Sequence, residues 1–185
     1  MTLPDPNNFE LQPHLIGDLL EVRPLEPEDW EALFAVASDP LIWEQHPAFD
    51  RYQEQVFREF FQEALTSGGA FAIVDRATGQ IVGSSRYFGF DPERKEIEIG
   101  WTFLARSHWG GSYNGELKRL MLDHAFNFVD SVIFVVGTTN LRSRKAVEKI
   151  GGVLTDRRRT TTRHGKLSES VVYEIRKFKT NDLDR

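Results

Sequence analysis

The stretch that decides the fold is ARSHWGGSYNGELKRLMLDHAF, residues 105–126. It opens with small and polar residues and two adjacent glycines, Gly110 and Gly111, and then becomes an apolar pattern of helical period. The segment just before it, EIEIGWTFL (residues 96–104), alternates between polar and apolar side chains as a strand does. The sequence therefore predicts a strand, a glycine-bearing loop and a helix in series.

A loop of this kind can hold a phosphate group. The N–H groups at a helix start can donate to a ligand, the helix dipole favours negative charge, and glycine lets the backbone approach closely. Arg106 adds a positive charge. The segment matches neither the three-glycine dinucleotide fingerprint nor the P-loop, which needs Gly-Lys followed by Ser or Thr. On these residues alone, the loop is either an anion site or a plain strand-to-helix connection.

The composition is that of one globular domain. The chain has 185 residues, of which 40% are hydrophobic, and this is enough for a proper core. The net charge of -5 argues against a nucleic-acid partner, because phosphate neutralisation needs a basic surface. The absence of cysteine excludes disulfides, thiolate metal sites and cysteine nucleophiles.

The sequence also predicts where the protein resides. No apolar run approaches the roughly 20 residues that span a bilayer. The N-terminal segment MTLPDPNNFELQPH lacks the basic and apolar regions of a secretory signal. We therefore expect a cytoplasmic protein without a membrane partner.

The remaining segments complete an alternating pattern of strands and helices. Predicted strands cover residues 18–24, 70–75, 81–88, 96–104, 131–138, 153–163 and 168–177. Predicted helices cover residues 27–38, 53–65, 115–129 and 143–150. The fifth strand, SVIFVVGT, is almost continuously apolar, which is typical of a strand buried on both faces. The order β α α β β β, loop, α β α β β predicts a single α/β domain with a mixed sheet.

Three segments in this order resemble a known family. They are LEVRPLEPEDWEALFAVASDP, IEIGWTFLARSHWGGSYNGE with its Trp-Gly pair and the Glu at the helix start, and NLRSRKAVEKIGG after the fifth strand. The chain resembles the GNAT acetyltransferases over roughly residues 20–175, and most closely the branch of RimJ/RimL-type ribosomal-protein N-acetyltransferases. Each motif is moderately specific, and their common order and spacing make the signal strong.

The resemblance implies a fold and an activity. The fold would be a single α/β domain, residues 16–178, between an N-terminal arm (1–15) and a C-terminal tail (179–185). Its central mixed, mostly antiparallel sheet would splay between the fourth and fifth strands, with helices flanking it and the pantetheine arm in the gap. The activity would be transfer of an acetyl group from acetyl-CoA to a primary amine by direct attack in a ternary complex. The acceptor would be a protein N-terminus or a small amine or amino acid, and we expect a monomer or homodimer.

The resemblance also implies the residues that contact acetyl-CoA. Amides from about residue 106 to 114 would bind the pyrophosphate. The cofactor-binding positions carried over from the family are Trp101, Phe103, Leu104, Arg106, Trp109, Gly110, Gly111, Ser112, Tyr113, Asn114, Asn140, Ser143 and Lys145. The family usually has a second glycine where this chain has Ser112, and a serine fits there only if its φ angle is not positive.

Glu98 is the candidate general base. By strand alternation it shares a face with Glu96 and Gly100, and a carboxylate that lines a cleft can acquire a raised pKa and accept a proton. In related enzymes a glutamate at this strand position has such a role. The alternative is a surface carboxylate that pairs with Lys95 or Arg86.

Ser143 is the second catalytic candidate. The family often has a tyrosine that protonates the departing thiolate where this chain has Val147, whereas Ser143 resembles a serine placed near the CoA sulfur. Ser143 could equally be a helix N-cap, or serve both purposes. Asn140 would bond the backbone or a pantetheine amide, or would simply be a turn residue.

Three further features have open interpretations. The aromatic residues from Trp43 to Phe61 form either core or the acceptor mouth, and the run Arg157-Arg158-Arg159 is a solvated strand or a turn. No pair of histidines has metal-binding spacing, so we expect no metal and assign no histidine a catalytic role. A rival to the enzyme is an acyl-CoA-binding or regulatory module that has the fold and little or no transferase activity.

Overall fold

The computed structural model describes residues 8–163 and 165–178. The predicted C-terminal tail, the first seven residues of the predicted arm and His164 lie outside the described residues. The strands are β1 (Leu15–Ile16), β2 (Leu20–Pro24), β3 (Ala70–Asp75), β4 (Ile81–Asp91), β5 (Glu96–Leu104), β6 (Ser131–Gly137), β7 (Val153–Arg163) and β8 (Lys166–Arg176). The α-helices are α1 (Trp30–Ala37), α2 (Pro40–Trp43), α3 (Glu54–Thr66), α4 (Tyr113–Ala125) and α5 (Leu141–Lys149).

The eight strands form one sheet in the order β1-β2-β3-β4-β5-β6-β8-β7. Of the pairs among the described strands, β5 with β6 is parallel and the others are antiparallel. Helix α4 connects these two parallel strands, as a crossover must. The predicted single α/β domain with a mixed, mostly antiparallel sheet is confirmed.

The sheet splays between β5 and β6, as predicted. Their pairing begins at Glu96 with Ser131 and ends at Glu98 with Ile133, although β5 runs on to Leu104 and β6 to Gly137. The two strands therefore share three residue pairs and then separate. A V-shaped gap opens in the middle of the sheet, with its apex at Glu98.

A β-bulge in β5 lies beside this gap. Trp101 and Thr102 stand opposite the single Ser85 of β4, and Trp101 has a φ angle of 52°. A positive φ is uncommon for a bulky residue, and bulges tolerate it because they bend the strand. The extra residue reverses the alternation, so that Phe103 faces the opposite side of the sheet from Ile99.

Each face of the sheet carries its own hydrophobic core. Helices α4 and α5 cover one face with residues such as Met121 and Val147, and α1 to α3 cover the other with residues such as Leu33 and Phe61. Strand β6 is buried along almost its whole length, as its apolar sequence predicts. None of the helices in the described part of the chain is long and apolar enough to cross a membrane.

The predicted N-terminal arm is partly integrated into the domain. Phe9 is buried in the α4-side core, and the Gln12 Nε2 donates to the carbonyl of Ala70. Leu15 already belongs to β1, a short strand that the sequence pattern did not reveal. The domain therefore begins before residue 16, since aromatic burial ties this segment to the sheet.

Helix α4 covers Tyr113–Ala125 where residues 115–129 were predicted, and two further differences from the predicted helices have a clear physical reason. Helix α2 lies in the segment expected to be a connection, because the Asp39 side chain accepts from the Leu41 N–H and starts a new turn at Pro40. Helix α5 begins at Leu141, two residues earlier than predicted, because Asn140 caps it.

Glu116 joins the first strands to the start of α4. Its carboxylate accepts hydrogen bonds from the N–H groups of Asp18, Leu19 and Leu20 at 2.8, 2.8 and 2.7 Å. A side chain on Gly17 would come within 2.6 Å of this carboxylate. The contact thus fixes the turn between β1 and β2 against the helix.

Replacing Glu116 by Gln should destabilise the fold. One oxygen becomes an NH₂ group that faces a backbone N–H, and a buried donor without a partner costs about 1–3 kcal/mol. Urea unfolding measures the change in free energy. Asp123→Asn on the exposed side of α4 is the control and should change stability by less than about 0.5 kcal/mol. Equal losses in the two variants would contradict the assigned role of Glu116.

Candidate active site

A cavity of about 140 Å³ occupies the gap between the splayed strands. Its walls are residues 99–102 of β5, residues 134–137 of β6, and residues along one side of α5 and at its two ends. Asn114 and Lys118 of α4 and His46 of the segment after α2 complete the lining. Trp101, predicted to contact the cofactor, lines this cavity.

A second cavity of about 1020 Å³ continues from the first. The two cavities form one channel, because they share several lining residues. These are His46, Thr102, Asn114, Asn140, Ser143, Ala146 and Ile150. The larger part extends along the glycine-bearing loop to the start of α4. Of the predicted cofactor-binding residues, this part is also lined by Phe103, Leu104, Trp109, Gly110, Gly111 and Ser112.

The start of α4 presents backbone N–H groups to the larger cavity. Gly110 has a φ angle of 74°, which a residue with a side chain rarely adopts, and Ser112 is the N-cap with a φ of -83°. The negative φ of Ser112 meets the condition under which serine fits this loop. The N–H groups of the first turn have no partner within the helix, and the helix dipole makes this end attractive to anions.

The cations around the larger cavity differ from those predicted. Arg119, Arg142 and Lys149 line it. The Arg106 Nε instead donates to Asp39 at 2.5 Å, and Arg106 does not line either cavity. Lys145 is exposed and lines neither cavity.

Tyr113 also departs from its predicted place. It packs against the ring of His108, with centroids 4.5 Å apart, and its hydroxyl lies 3.5 Å from Asp75. It lines neither cavity. The His108 Nε2 lies 2.9 Å from the same carboxylate, which holds the pKa of Asp75 below its usual value. These three side chains anchor the loop to β3.

Arg142 spans the mouth of the larger cavity. Its guanidinium lies 4.2 Å from the ring centroid of Trp109, a cation–π contact, and its Nη2 donates to the carbonyl of Ile42 at 2.7 Å. Its backbone N–H donates to Gln45. One side chain therefore links α5, the glycine-bearing loop and α2.

Asn140, and not Ser143, caps helix α5. Asn140 is the N-cap residue, and its Oδ1 accepts from the N–H of Ser143 at 3.2 Å. Ser143 lies in the first turn and lines the channel. The interpretation of Ser143 as an N-cap is wrong, because the helix starts two residues earlier and its first orphan donor is already satisfied by Asn140.

Glu98 lies at the apex of the gap, but its side chain is buried. It is 5% exposed, and its Oε2 accepts from the Arg159 Nη1 at 2.6 Å. Burial raises the pKa of Glu98, and the charge of Arg159 opposes this shift. Glu98 lines neither cavity, although the neighbouring Ile99 and Gly100 line the smaller one.

The partner of Glu98 corrects two interpretations. Glu98 pairs with Arg159 and is not a surface carboxylate beside Lys95 or Arg86. Arg157 makes a matching two-pronged contact with Glu96 at 2.6 and 2.8 Å. The arginine run is therefore not simply solvated, since two of its members reach the carboxylates of β5.

Arg86 supports the bulge from the face covered by α1 to α3. It is buried, and its guanidinium lies 4.7 Å from the ring centroid of Trp101 and 5.6 Å from that of Phe60. Its Nε and Nη2 have no hydrogen-bond partner among the described residues. Burial lowers the pKa of Arg86 to about 10. The aromatic contacts partly replace the missing hydrogen bonds.

Lys118 and His46 are among the channel residues that were not predicted from the sequence. Lys118 is 5% exposed, and its Nζ donates to the Thr102 Oγ1 at 2.5 Å. The sequence position of Lys118 indicated that its side chain is buried, because it stands three residues before Met121 and seven before Ala125. Both of these residues are on the buried face of α4. His46 lies at the junction of the two cavities and gave no such signal.

Four of the aromatic residues from 43 to 61 have the predicted core position. Trp43, Phe57, Phe60 and Phe61 are core, and Trp43 also lines the larger cavity. Phe49 is exposed. Within residues 8–163 and 165–178, no group of three or more His, Cys, Asp or Glu side chains could hold a metal ion.

Stability measurements can separate the roles of Asn140 and Ser143. Asn140→Ala should lower the free energy of unfolding by about 1 kcal/mol, because the capped N–H of Ser143 loses its acceptor. Ser143→Ala keeps the cap and should stay within about 0.5 kcal/mol of the wild type. Chemical denaturation of the two variants checks this, and a larger loss for Ser143→Ala than for Asn140→Ala would be inconsistent with it.

Comparison with known proteins identifies the family to which the chain belongs. Residues 20–153 match the family described as Acetyltransferase (GNAT) domain. The Bacillus licheniformis protein named Uncharacterized N-acetyltransferase p20 is 27% identical over 117 residues, which are 60% of this chain and 65% of that protein. The match thus spans just under two thirds of that relative.

Solved structures share the fold. A GCN5-related N-acetyltransferase from Brucella melitensis superposes with a TM-score of 0.72 and 20% identity, covering 92% of this chain and 83% of that one. RimJ of Mycobacterium smegmatis, solved in complex with CoA-disulfide, has a TM-score of 0.67 and 16% identity, with coverage of 90% and 84%. The predicted family is confirmed: the chain belongs to the GNAT acetyltransferases.

Proposed function

We propose that the protein is an N-acetyltransferase that moves an acetyl group from acetyl-CoA to a primary amine. The observation that carries this proposal is the single channel that runs from the start of α4 into the gap between β5 and β6. One end offers N–H groups to phosphates, and the other is lined by Ile99 and Gly100, which follow a buried glutamate, Glu98, with a raised pKa. Membership of the GNAT family supports the same activity.

The residues of the channel fit the parts of acetyl-CoA. The pyrophosphate would accept hydrogen bonds from the N–H groups of residues 110–114, near Arg119 and Lys149. The pantetheine arm would lie in the gap. There the facing edges of β5 and β6 are not paired with each other beyond Glu98 and Ile133. The thioester would then lie near the bulge at Trp101. The structural likeness to RimJ, solved with CoA-disulfide, is in keeping with this arrangement.

The reaction needs no covalent enzyme intermediate. The amine nitrogen attacks the thioester carbonyl carbon, the new C–N bond forms, and the C–S bond breaks. The amine gives up one proton, and the departing sulfur gains one. The net result is an amide and the free thiol of CoA. The protein must therefore supply a proton acceptor for the amine and stabilise the sulfur.

Glu98 is the proposed proton acceptor. Its raised pKa makes it a stronger base than an exposed glutamate, and it stands beside the backbone that lines the gap. Arg159 holds one carboxylate oxygen, which leaves Oε1 near Gly100 for a substrate proton or a bridging water. Ser143 is proposed to hydrogen-bond the sulfur, since it lines the channel and its N–H is already used by Asn140.

A second candidate function is a binding or regulatory module with little transferase activity. Val147 favours it, because this buried side chain lines the gap where a protonating hydroxyl could otherwise stand. Calorimetry with acetyl-CoA, followed by thiol release with protein N-terminal peptides and small amines, decides between the two. Binding without turnover on any amine would favour the module, and no binding would refute both.

Gly111→Asp should weaken CoA binding at least tenfold. Gly111 lines the larger cavity and has open space around its Cα, so the aspartate would fit but bring a negative charge to the phosphate end. Gly111→Ala is the matched control, because it adds a side chain without charge. Calorimetry measures both affinities. Equal affinity of the aspartate variant and the wild type would disprove the phosphate assignment.

Glu98→Gln should lower kcat/KM by roughly 10²- to 10⁴-fold while CoA still binds. Glu98 must be ionised to act, so wild-type kcat/KM should fall as the pH drops through its raised pKa, and the variant should lose this dependence. Glu96→Gln is the control, because Glu96 is also paired with an arginine but lies further from the gap. A loss of less than about threefold, with the pH profile unchanged, would exclude the base role.

A further inference from the structure

We propose that Lys118 is the proton donor to the departing CoA sulfur. This inference rests on the proposed transferase function. It concerns a buried amine that projects from α4 into the gap where the thioester would lie. The role is needed because Val147 offers no hydroxyl at this wall and a serine hydroxyl such as that of Ser143 is a poor acid.

Lys118 bridges the two splayed strands. Its Nζ donates to Thr102 Oγ1 of β5 at 2.5 Å and lies 5.6 Å from the ring centroid of Phe134 of β6. It lines the cavity of about 140 Å³ together with Ser143. A pantetheine sulfur in that cavity would be within reach of the amine.

The hydrogen bonds around Lys118 leave donor capacity unused. Thr102 Oγ1 is shared with Ser85 Oγ at 2.8 Å, and both hydroxyls lie near the carbonyl of Gly100. An ammonium group has three N–H donors, and one partner for Lys118 is identified among the described residues. The remaining N–H groups are available to donate to a ligand in the cavity that Lys118 lines.

The environment makes Lys118 a suitable acid near neutral pH. Burial alone lowers its pKa to about 7, with no charged group contributing. A thiol such as that of CoA has an ordinary pKa of about 8.5, so a proton moves from this ammonium to the thiolate without an energetic cost. An exposed lysine, with a pKa of about 10.4, would hold its proton more strongly than the thiolate.

The neighbours of Lys118 are mostly non-titratable. Strand β5 presents Thr102, β4 presents Ser85, β6 presents Phe134, and α5 presents Ala146 and Val147. The titratable neighbour across the cavity is His46, whose Nδ1 accepts from the N–H of Ala48 at 2.8 Å. His46 is therefore the rival donor that an experiment must separate from Lys118.

Proton transfer from Lys118 to the sulfur accompanies cleavage of the thioester. The C–S bond of the acyl group breaks and its electron pair stays on sulfur. The Lys118 ammonium gives one proton to this sulfur, which yields CoA thiol and a neutral lysine. The proton released by the amine acceptor returns the lysine to its charged form through solvent. The net reaction consumes no additional reagent.

The first test measures the thiol of bound CoA without turnover. Ultraviolet absorbance of the thiolate is followed against pH for CoA bound to the wild type and to Lys118→Met, a variant of similar volume. The thiolate and the Lys118 ammonium stabilise each other, so the two groups titrate as a coupled pair, and the thiol pKa should be about one unit or more lower on the wild type than free in solution. In Lys118→Met this difference should vanish. A thiol pKa on the wild type equal to that of free CoA overturns the proposal, even if the variant does not fold.

The second test measures kcat against pH with an accepted amine. Wild-type kcat should fall as the pH rises through about 7 to 8, because Lys118 loses its proton there. Lys118→Met should lower kcat by about 10²-fold and abolish this alkaline limb, with CoA affinity changed less than about threefold. Lys118→Arg should keep the lowered thiol pKa but not restore kcat, since a guanidinium does not give up its proton.

Controls separate the proposal from its rivals. Lys166→Met, exposed at the hairpin of β7 and β8, should behave as the wild type. Loss of the alkaline limb in His46→Gln but not in Lys118→Met would overturn the proposal, as would full activity of Lys118→Arg. Absence of turnover on every amine refutes the transferase function, while the thiol titration still decides whether Lys118 acts on the sulfur. Absence of CoA binding overturns both.

Discussion

The early end of pairing between β5 and β6 is the constraint on which the rest of the structure depends. Two parallel strands with nine and seven residues could pair further than three positions, but here they diverge after Glu98 and Ile133. The bulge at Trp101 bends β5 away and reverses its faces. The gap that results is what lets a ligand enter the middle of a sheet whose two faces are otherwise covered.

Charge is distributed around this gap in two different ways. At the apex, Glu96 and Glu98 are neutralised by Arg157 and Arg159, so that the strands are tied together where they still pair. Inside the gap, Lys118 has a hydroxyl partner and no carboxylate partner among the residues that the structure describes. A buried charge without a counterion is costly, and such groups are frequent at functional sites. The ion pairs at the apex hold β5 and β7 together, whereas the ammonium of Lys118 faces the cavity in which the proposed reaction would take place.

Much of the fold could be predicted because its local signals are strong. The apolar run of β6, the alternation in β5 and the glycines before α4 indicated the strands, the loop and the crossover helix. The bulge could not be predicted, since strict alternation places Phe103 on the same face as Ile99. The two-residue strand β1 was equally invisible, because two residues are too few to show the alternation by which a strand is recognised.

The candidate site was predicted less completely than the fold. The loop from Trp109 to Ser112 lines the cavity as the family resemblance implied. Arg106 and Lys145 do not, because sequence position says nothing about which way a long side chain turns or which carboxylate it meets. Lys118 could have been found by asking why a lysine interrupts the buried face of a helix. The pairing of Glu98 with Arg159 joins residues 61 positions apart and had no local signal.

The contact of Glu116 with residues 18–20 has a consequence for how the chain can be shortened. The carboxylate lines the same cavity as the proposed phosphate site, and its negative charge is shared among three backbone amides. Removing the chain up to Leu20 would take away these three amide donors and leave the carboxylate facing the proposed phosphate site. The protein would then repel an anionic substrate through a residue that had not been altered. The N-terminal segment is in this sense a component of the proposed binding surface, and its residues Asp18 and Leu19 line the same cavity.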